Sequence, residues 1–151
     1  TLEIGDIVLS RCAQQHDMDV SPLGDPVGII PRMDESIFAA DETLVKLAKE
    51  ACEKANSDII CHVGKVVSGD QFIADGEKKQ YLIDTFEGDC AEMEGAAMAQ
   101  VAYLNHVPFL IIRAISDKAD GSAEMDYPTF EAMAAEHSFK LTLRILKDIQ
   151  G

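Results

Sequence analysis

A chain of 151 residues is one domain of ordinary length, long enough to bury a core without disulfide or metal staples. Apolar types supply 47% of it and charged types 26%, a globular balance that excludes disordered and fibrous classes. Thirteen Lys and Arg against 27 Asp and Glu leave a net charge of −14. Such a surface repels phosphate backbones and anionic lipid, so no nucleic-acid partner and no membrane partner are expected.

Taken in chain order, the first residues carry neither an initiator Met nor a signal-peptide core. Ile4-Gly5-Asp6-Ile7-Val8-Leu9-Ser10 already reads as a strand without local partners, so the chain reads as a fragment entered inside a longer domain. The strand is placed at residues 6–10. Residues 11–40 lack sustained periodicity and hold Pro22, Pro26, Pro31, Gly24 and Gly28, which predicts a long functional loop. Asp41 caps a helix whose Leu44, Leu47, Ala48, Ala51, Cys52 and Ala55 share one face. Cys61 to Val67 reads as a strand ending at Ser68-Gly69-Asp70, and Asp75 to Phe86 as a weaker helix. Gly95 to Leu104 is apolar almost all round, which predicts a buried helix ended by Asn105. The run Val107 to Ile112 predicts a central strand, with Pro108 near its start. Asp126 and Pro128 open a long amphipathic helix to Ile149. Strands alternating with helices indicate a single α/β domain over residues 1–151 with a mainly parallel sheet.

Cys12, Cys52, Cys61 and Cys90 form no CxxC and no zinc-finger spacing, so they read as reduced thiols of a cytosolic protein. His16-Asp17-Met18-Asp19 is a weak metal pattern with no second His nearby, and no metal site is assigned. His62, His106 and His137 have no partner pattern and read as structural. GxGxxG, Walker A and GxSxG motifs are all absent from the sequence.

Ligands of open α/β sheets sit beyond the carboxyl ends of the strands, which singles out residues 68–73, 92–95 and 113–117. Asp117 follows a buried strand, where desolvation would make it a general acid; it could equally cap the next turn. Glu92 and Glu94 stand at the entrance to an apolar helix. Extended, they share a face; helical, they diverge. They could serve the helix dipole or accept the hydroxyls of a ribose diol. Phe72 could stack on a flat base or plug the core. Arg113, ending a buried strand, needs an anionic partner, either a structural Glu or a substrate.

Together these stretches carry a resemblance. Val67-Ser68-Gly69-Asp70-Gln71-Phe72-Ile73, Ala91-Glu92-Met93-Glu94-Gly95-Ala96-Ala97, the run Val107 to Asp117 and His16-Asp17-Met18-Asp19-Val20 resemble the 5′-methylthioadenosine/S-adenosylhomocysteine nucleosidases, in order and across nearly the whole chain. The resemblance implies a purine nucleoside phosphorylase-like α/β fold, a central mixed sheet flanked by helices, with an N-terminal portion of the family outside this chain. It implies a cytoplasmic homodimer that hydrolyses the N-glycosidic bond of adenine thionucleosides without any cofactor. Residue by residue, it makes Asp117 the acid that protonates adenine N7, with Ser116 holding its carboxylate. Phe72 would stack on the purine, and the Ile73 backbone would read the adenine edge. Met93 would pack against the sugar, Glu94 would bind both ribose hydroxyls, and Arg113 would support Glu94. Val20, Leu23 and Pro31 would line the 5′-alkylthio pocket of a partner subunit. The glutamate that activates water in the family has no counterpart here, so the chain alone is expected to be nearly inactive. Leu23 replaces an aromatic residue and Asp25-Pro26 an aromatic-rich stretch, which leaves the 5′-substituent open. Futalosine hydrolases, AMP nucleosidases and phosphorylases share parts of these motifs, and a nucleoside-binding fragment without turnover is the alternative outside the enzymes.

Overall fold

The computed structural model describes residues 2–55, 59–116 and 127–150. Its centre is strand β1 (Ile7–Gln15), buried along nearly all its length. Side chains alternate across it. Ile7 and Leu9 pack with Ala48, Ala51, Cys52, Leu141 and Ile145, while Val8 and Ala13 pack with Phe38, Val66, Ala96, Ala99 and Ile111. A strand covered on both faces has no polar side, which is why Ile-Val-Leu runs uninterrupted.

This strand is longer than the sequence suggested. It continues to Gln15 and pairs antiparallel with β2 (Ile37–Ala39) through Cys12–Ala39, Ala13–Phe38 and Gln14–Ile37. Residues 11–40 therefore hold the end of one strand, a 3-10 turn at Ser21–Leu23 and a second strand, rather than one loop. The register of β1 against its other neighbour slips between Ser10 and Cys12. That bulge leaves Arg11 exposed and breaks the alternation from which a strand is read.

From β2 the chain enters α1 (Glu42–Ala55). Asp41 Oδ1 accepts from Leu44 N at 2.9 Å, the expected cap. The chain then returns as β3 (Cys61–Ser68), parallel to β1 from Ile7–Cys61 to Gln15–Ser68. Helix α2 (Gly76–Phe86) is capped by Asp75, which accepts from Lys78 N at 2.7 Å. Strand β4 (Cys90–Glu92) pairs parallel with β3, and α3 (Gly95–Leu104) follows. Strand β5 (Ile112–Ala114) runs antiparallel to β1 at Ile7–Leu9, and α4 (Tyr127–Gln150) ends the described fold. The order is β2-β1-β3-β4, with β5 also on β1, so the sheet is mixed rather than mainly parallel. Helices α1 and α4 pack on the face of Ile7 and Leu9, and α3 on the face of Val8.

Two apolar segments behave differently from their pattern. Within 107–112 only Ile112 belongs to a strand, and Val107 and Pro108 are exposed. Pro108 has no N–H for a ladder, so the run approaches the sheet edgewise and pairs late. In α3 only Gly95, Ala96 and Ala99 are buried, while Met98, Val101 and Leu104 are exposed. Small residues bring this helix close to the sheet, and its large ones face outward.

Burial pushes the Cys12 thiol up. A hydrogen bond with Cys52, reinforced by burial, does the same for Cys61. Both positions therefore disfavour the reactive thiolate. Among the described residues no helix is long and apolar enough to cross a membrane.

The account of β1 makes a stability prediction. Leu9 is fully buried among side chains of α1 and α4. Leu9→Ala is expected to lower unfolding free energy by about 2–5 kcal/mol. Urea titration monitored by circular dichroism measures it, and a loss below about 1 kcal/mol would contradict the central placement of β1.

Candidate active site

Strands β3 and β4 end side by side, with Ser68 paired to Glu92. Both chains then turn, and their turns build the candidate site. A cavity of about 600 Å³ lies there. Phe72 and Ile73 wall it after β3, Leu82 and Ile83 from α2, Met93 and Glu94 after β4, and Arg113 to Ser116 along and beyond β5. Seven positions singled out from sequence thus meet around one space: Phe72, Ile73, Glu92, Met93, Glu94, Arg113 and Ser116.

Phe72 decides between its two readings. It is 79% exposed, so it does not plug the core; it presents its ring at the cavity wall. Arg113 finds carboxylates on both sides. Its Nη1 lies 3.7 Å from Glu92 Oε2 and 3.6 Å from Glu94 Oε2. The two acids diverge, because the chain turns into α3 at Glu94, its N-cap (φ −128°, ψ −32°). The Glu92 side chain is 2% exposed and that of Glu94 is 73% exposed.

A carboxylate out of water needs donors, and Glu92 has them. Gly95 N–H donates to both its oxygens, at 2.8 and 2.9 Å, and Glu94 N–H donates at 3.2 Å. Ser68 Oγ–H donates to Oε1 and accepts from Ala96 N–H at 2.7 Å. These bonds spend the N–H groups that a helix N-terminus leaves unpaired. Gly95 leaves room for this arrangement: a Cβ there would stand 3.0 Å from Glu92 Oε1 and 2.9 Å from Ile111 Cδ1, so both side chains would have to shift. The sequence offered Glu92 and Glu94 the same two roles without separating them, and Glu92 takes the one at the start of the helix; it gave no role to Ser68. The signal that separates them is the small residue at 95, which admits a buried carboxylate three residues earlier.

The other predicted positions lie elsewhere. Val20, Leu23 and Pro31 do not line this cavity, and Leu23 is exposed on the 3-10 turn. Asp117 lies outside the described residues. His62 does have a partner, Asp89, at 3.4 Å, a contact across 27 positions that no local pattern reveals.

His16 follows β1 directly and lies beneath the turn after β3. Its backbone N–H donates to Ser68 O at 2.8 Å, and a Cβ on Gly69 would stand 2.5 Å from its Cε1. The side chain is buried, and neither ring nitrogen has a hydrogen-bond partner among the described residues. Burial is the main cause that holds it below the ordinary imidazole value; Lys78 adds to this, while Asp17 and Glu92 oppose it. The unfolded chain therefore takes up a proton that the native state resists. This contribution to stability is whole above about pH 6.5 and is lost as pH falls toward the lower native value. His16→Gln is expected to flatten the stability–pH curve between about pH 7 and 5, where one such proton gives a slope of at most about 1.4 kcal/mol per pH unit. Urea titrations of parent and variant across that range measure it, and equal slopes would contradict a buried neutral His16.

Comparison with known proteins bears on the fold and the family. The family model described as the phosphorylase superfamily matches residues 1–147. The 5′-methylthioadenosine/S-adenosylhomocysteine nucleosidase of Geobacillus sp. (strain WCH70) is 39% identical over 151 residues, 99% of this chain and 64% of that protein. The chain thus spans just under two thirds of the length of the curated relatives it matches. Among solved structures, the Campylobacter jejuni 5′-methylthioadenosine/S-adenosylhomocysteine nucleosidase superposes with a TM-score of 0.89 at 36% identity, over 97% of this chain and 63% of that one. The futalosine hydrolase of Helicobacter pylori strain 26695 gives 0.87 at 34% identity, over 97% and 62%. A family match over nearly the whole chain, with the same α/β architecture, establishes that this chain belongs to the phosphorylase superfamily.

Proposed function

We propose that the cavity beyond β3 and β4 binds an adenine nucleoside and serves hydrolysis of its N-glycosidic bond, with 5′-methylthioadenosine and S-adenosylhomocysteine as substrates. The observation that carries this reading is the pairing of an exposed Phe72 with an exposed Glu94 around one cavity. An aromatic face suits a flat base, and a carboxylate suits a vicinal diol. Likeness to nucleosidases named for these two nucleosides supports the choice of substrate.

In this reading Phe72 stacks on the purine and the Ile73 backbone meets its edge. Met93 packs on the sugar, and Glu94 accepts from the 2′- and 3′-hydroxyls while Arg113 supports it. Cleavage builds positive charge on the ribose and negative charge on the departing base. Glu94 eases the first, and a proton delivered to N7 by Asp117, oriented by Ser116, removes the second. No cofactor takes part. The water-activating glutamate of the resembling family is not among these residues, so the chain alone binds nucleoside and turns it over slowly. The futalosine hydrolase likeness supports a second reading with another purine nucleoside in the same site. Free sugar as product, with or without phosphate present, separates hydrolysis from phosphorolysis.

The same proposal makes the protein a homodimer in which Val20, Leu23 and Pro31 reach a partner's 5′-alkylthio pocket. Exposed Leu23 and the exposed Met98, Val101 and Leu104 of α3 support this part.

Binding and turnover respond to different residues. Phe72→Ala is expected to weaken 5′-methylthioadenosine binding by roughly 5- to 150-fold, the value of one base–aromatic stack. Asp117→Asn should leave binding nearly unchanged and lower single-turnover adenine release by about 10²–10⁴-fold. Calorimetry and chromatographic detection of adenine measure the two. Unchanged affinity in Phe72→Ala, or a loss of less than about tenfold in Asp117→Asn, would contradict these roles; adenine release by the parent near the enzyme median of about 10 s⁻¹ would contradict slow turnover by the chain alone. Light scattering at micromolar concentration is expected to give a dimer, and a monomer would contradict the shared pocket.

A further inference from the structure

Glu92 borders the cavity but offers it almost no surface, since its side chain is 2% exposed. Its oxygens are occupied by Ser68 Oγ–H and by the N–H groups of Glu94 and Gly95. No role in the cleavage described above falls to it. Its charge nevertheless acts on the site through Arg113. One guanidinium nitrogen, Nη1, lies almost equally far from Glu92 and Glu94, at 3.7 and 3.6 Å. Shared in this way, Arg113 approaches Glu94 through Oε2. A guanidinium released from the buried carboxylate would close on Glu94 as a bidentate pair, the geometry it favours. That would consume the lone pairs a diol needs.

We propose that Glu92, held by Ser68, is a positioning residue. It tethers Arg113 and fixes the backbone of Glu94, so that the Glu94 carboxylate stays open to two hydroxyls of a bound ribose. The inference rests on the nucleoside reading of the cavity and extends it to a residue that the ligand does not contact. Three features favour positioning over simple helix capping. A cap needs no second cation, yet Arg113 is there. The carboxylate is fixed by both chains it links, Ser68 of β3 and the first turn of α3. The residue whose backbone it holds, Glu94, is the one whose side chain enters the site.

The test compares two ligands, 5′-methylthioadenosine and free adenine, by calorimetry on the whole chain. Adenine has no diol, so its affinity reports the base site alone. Glu92→Gln keeps size and one acceptor but removes the charge that restrains Arg113. It is expected to weaken nucleoside binding by at least about tenfold, the scale of a hydrogen bond to a charged group. Adenine binding should stay near the parent value. A purely structural role would lower the folded fraction for both ligands and leave the ratio of their dissociation constants unchanged, which would overturn the proposal. If circular dichroism shows Glu92→Gln unfolded, Ser68→Ala carries the same comparison with the charge retained. A smaller loss of nucleoside preference then supports the proposal, and an unchanged ratio overturns it. Failure of the parent to bind either ligand would remove the nucleoside reading itself and this inference with it. Parent binding of both, with an unaltered ratio in the variants, removes the inference alone.

Discussion

A carboxylate with almost no water around it organises this end of the molecule. Glu92 could not be buried without donors, because desolvating a charge costs far more than one hydrogen bond returns. Its donors come from separate parts of the chain, the hydroxyl at the end of β3 and the N–H groups at the start of α3, and a guanidinium from β5 adds an ion pair at 3.7 Å. Meeting that demand fixes where α3 begins. It also sets the turn that sends Glu94 outward and the close approach at Gly95. The cavity is bounded by what this arrangement leaves over, an exposed acid on one side and an exposed aromatic ring on the other.

The same end is closed from beneath by β1. His16 lies under the turn after β3 with its backbone tied to Ser68, so the strand at the centre of the sheet also supports the site. Among the described residues this strand lies between two apolar clusters, one under α1 and α4 and one under α3, and a third, smaller cluster of Val67, Leu82 and Phe86 lies under α2. Fold and site are therefore coupled through Ser68, which pairs in the sheet and binds the carboxylate.

Local rules were enough wherever one element decided the outcome. Asp41 caps its helix as expected and Asn105 ends α3, while Asp75, read as the first residue of its helix, is the cap just before it. They were not enough where distant segments decided. The bulge at Arg11 hid the second half of β1, and β2 is three residues whose pattern has meaning only beside Cys12 to Gln14. Apolarity all round α3 suggested burial, yet its large side chains are exposed. The positions lining the cavity were legible through family resemblance more than through spacing. Phe72 in particular had two readings until its exposure was known. Glu92 and Glu94 shared two readings, helix dipole or diol, because a buried acid and an exposed one, two residues apart, look alike in sequence. Asp117 and its surroundings lie outside the described residues.

The most direct measurement is a crystal structure of the chain with an adenine nucleoside whose glycosidic bond cannot be cleaved. The account predicts the base against the Phe72 ring and both ribose hydroxyls within hydrogen-bond distance of Glu94. Arg113 should still be shared between Glu94 and a buried Glu92. A ligand seated away from Phe72, or a ribose held by Arg113 with Glu94 turned aside, would contradict it.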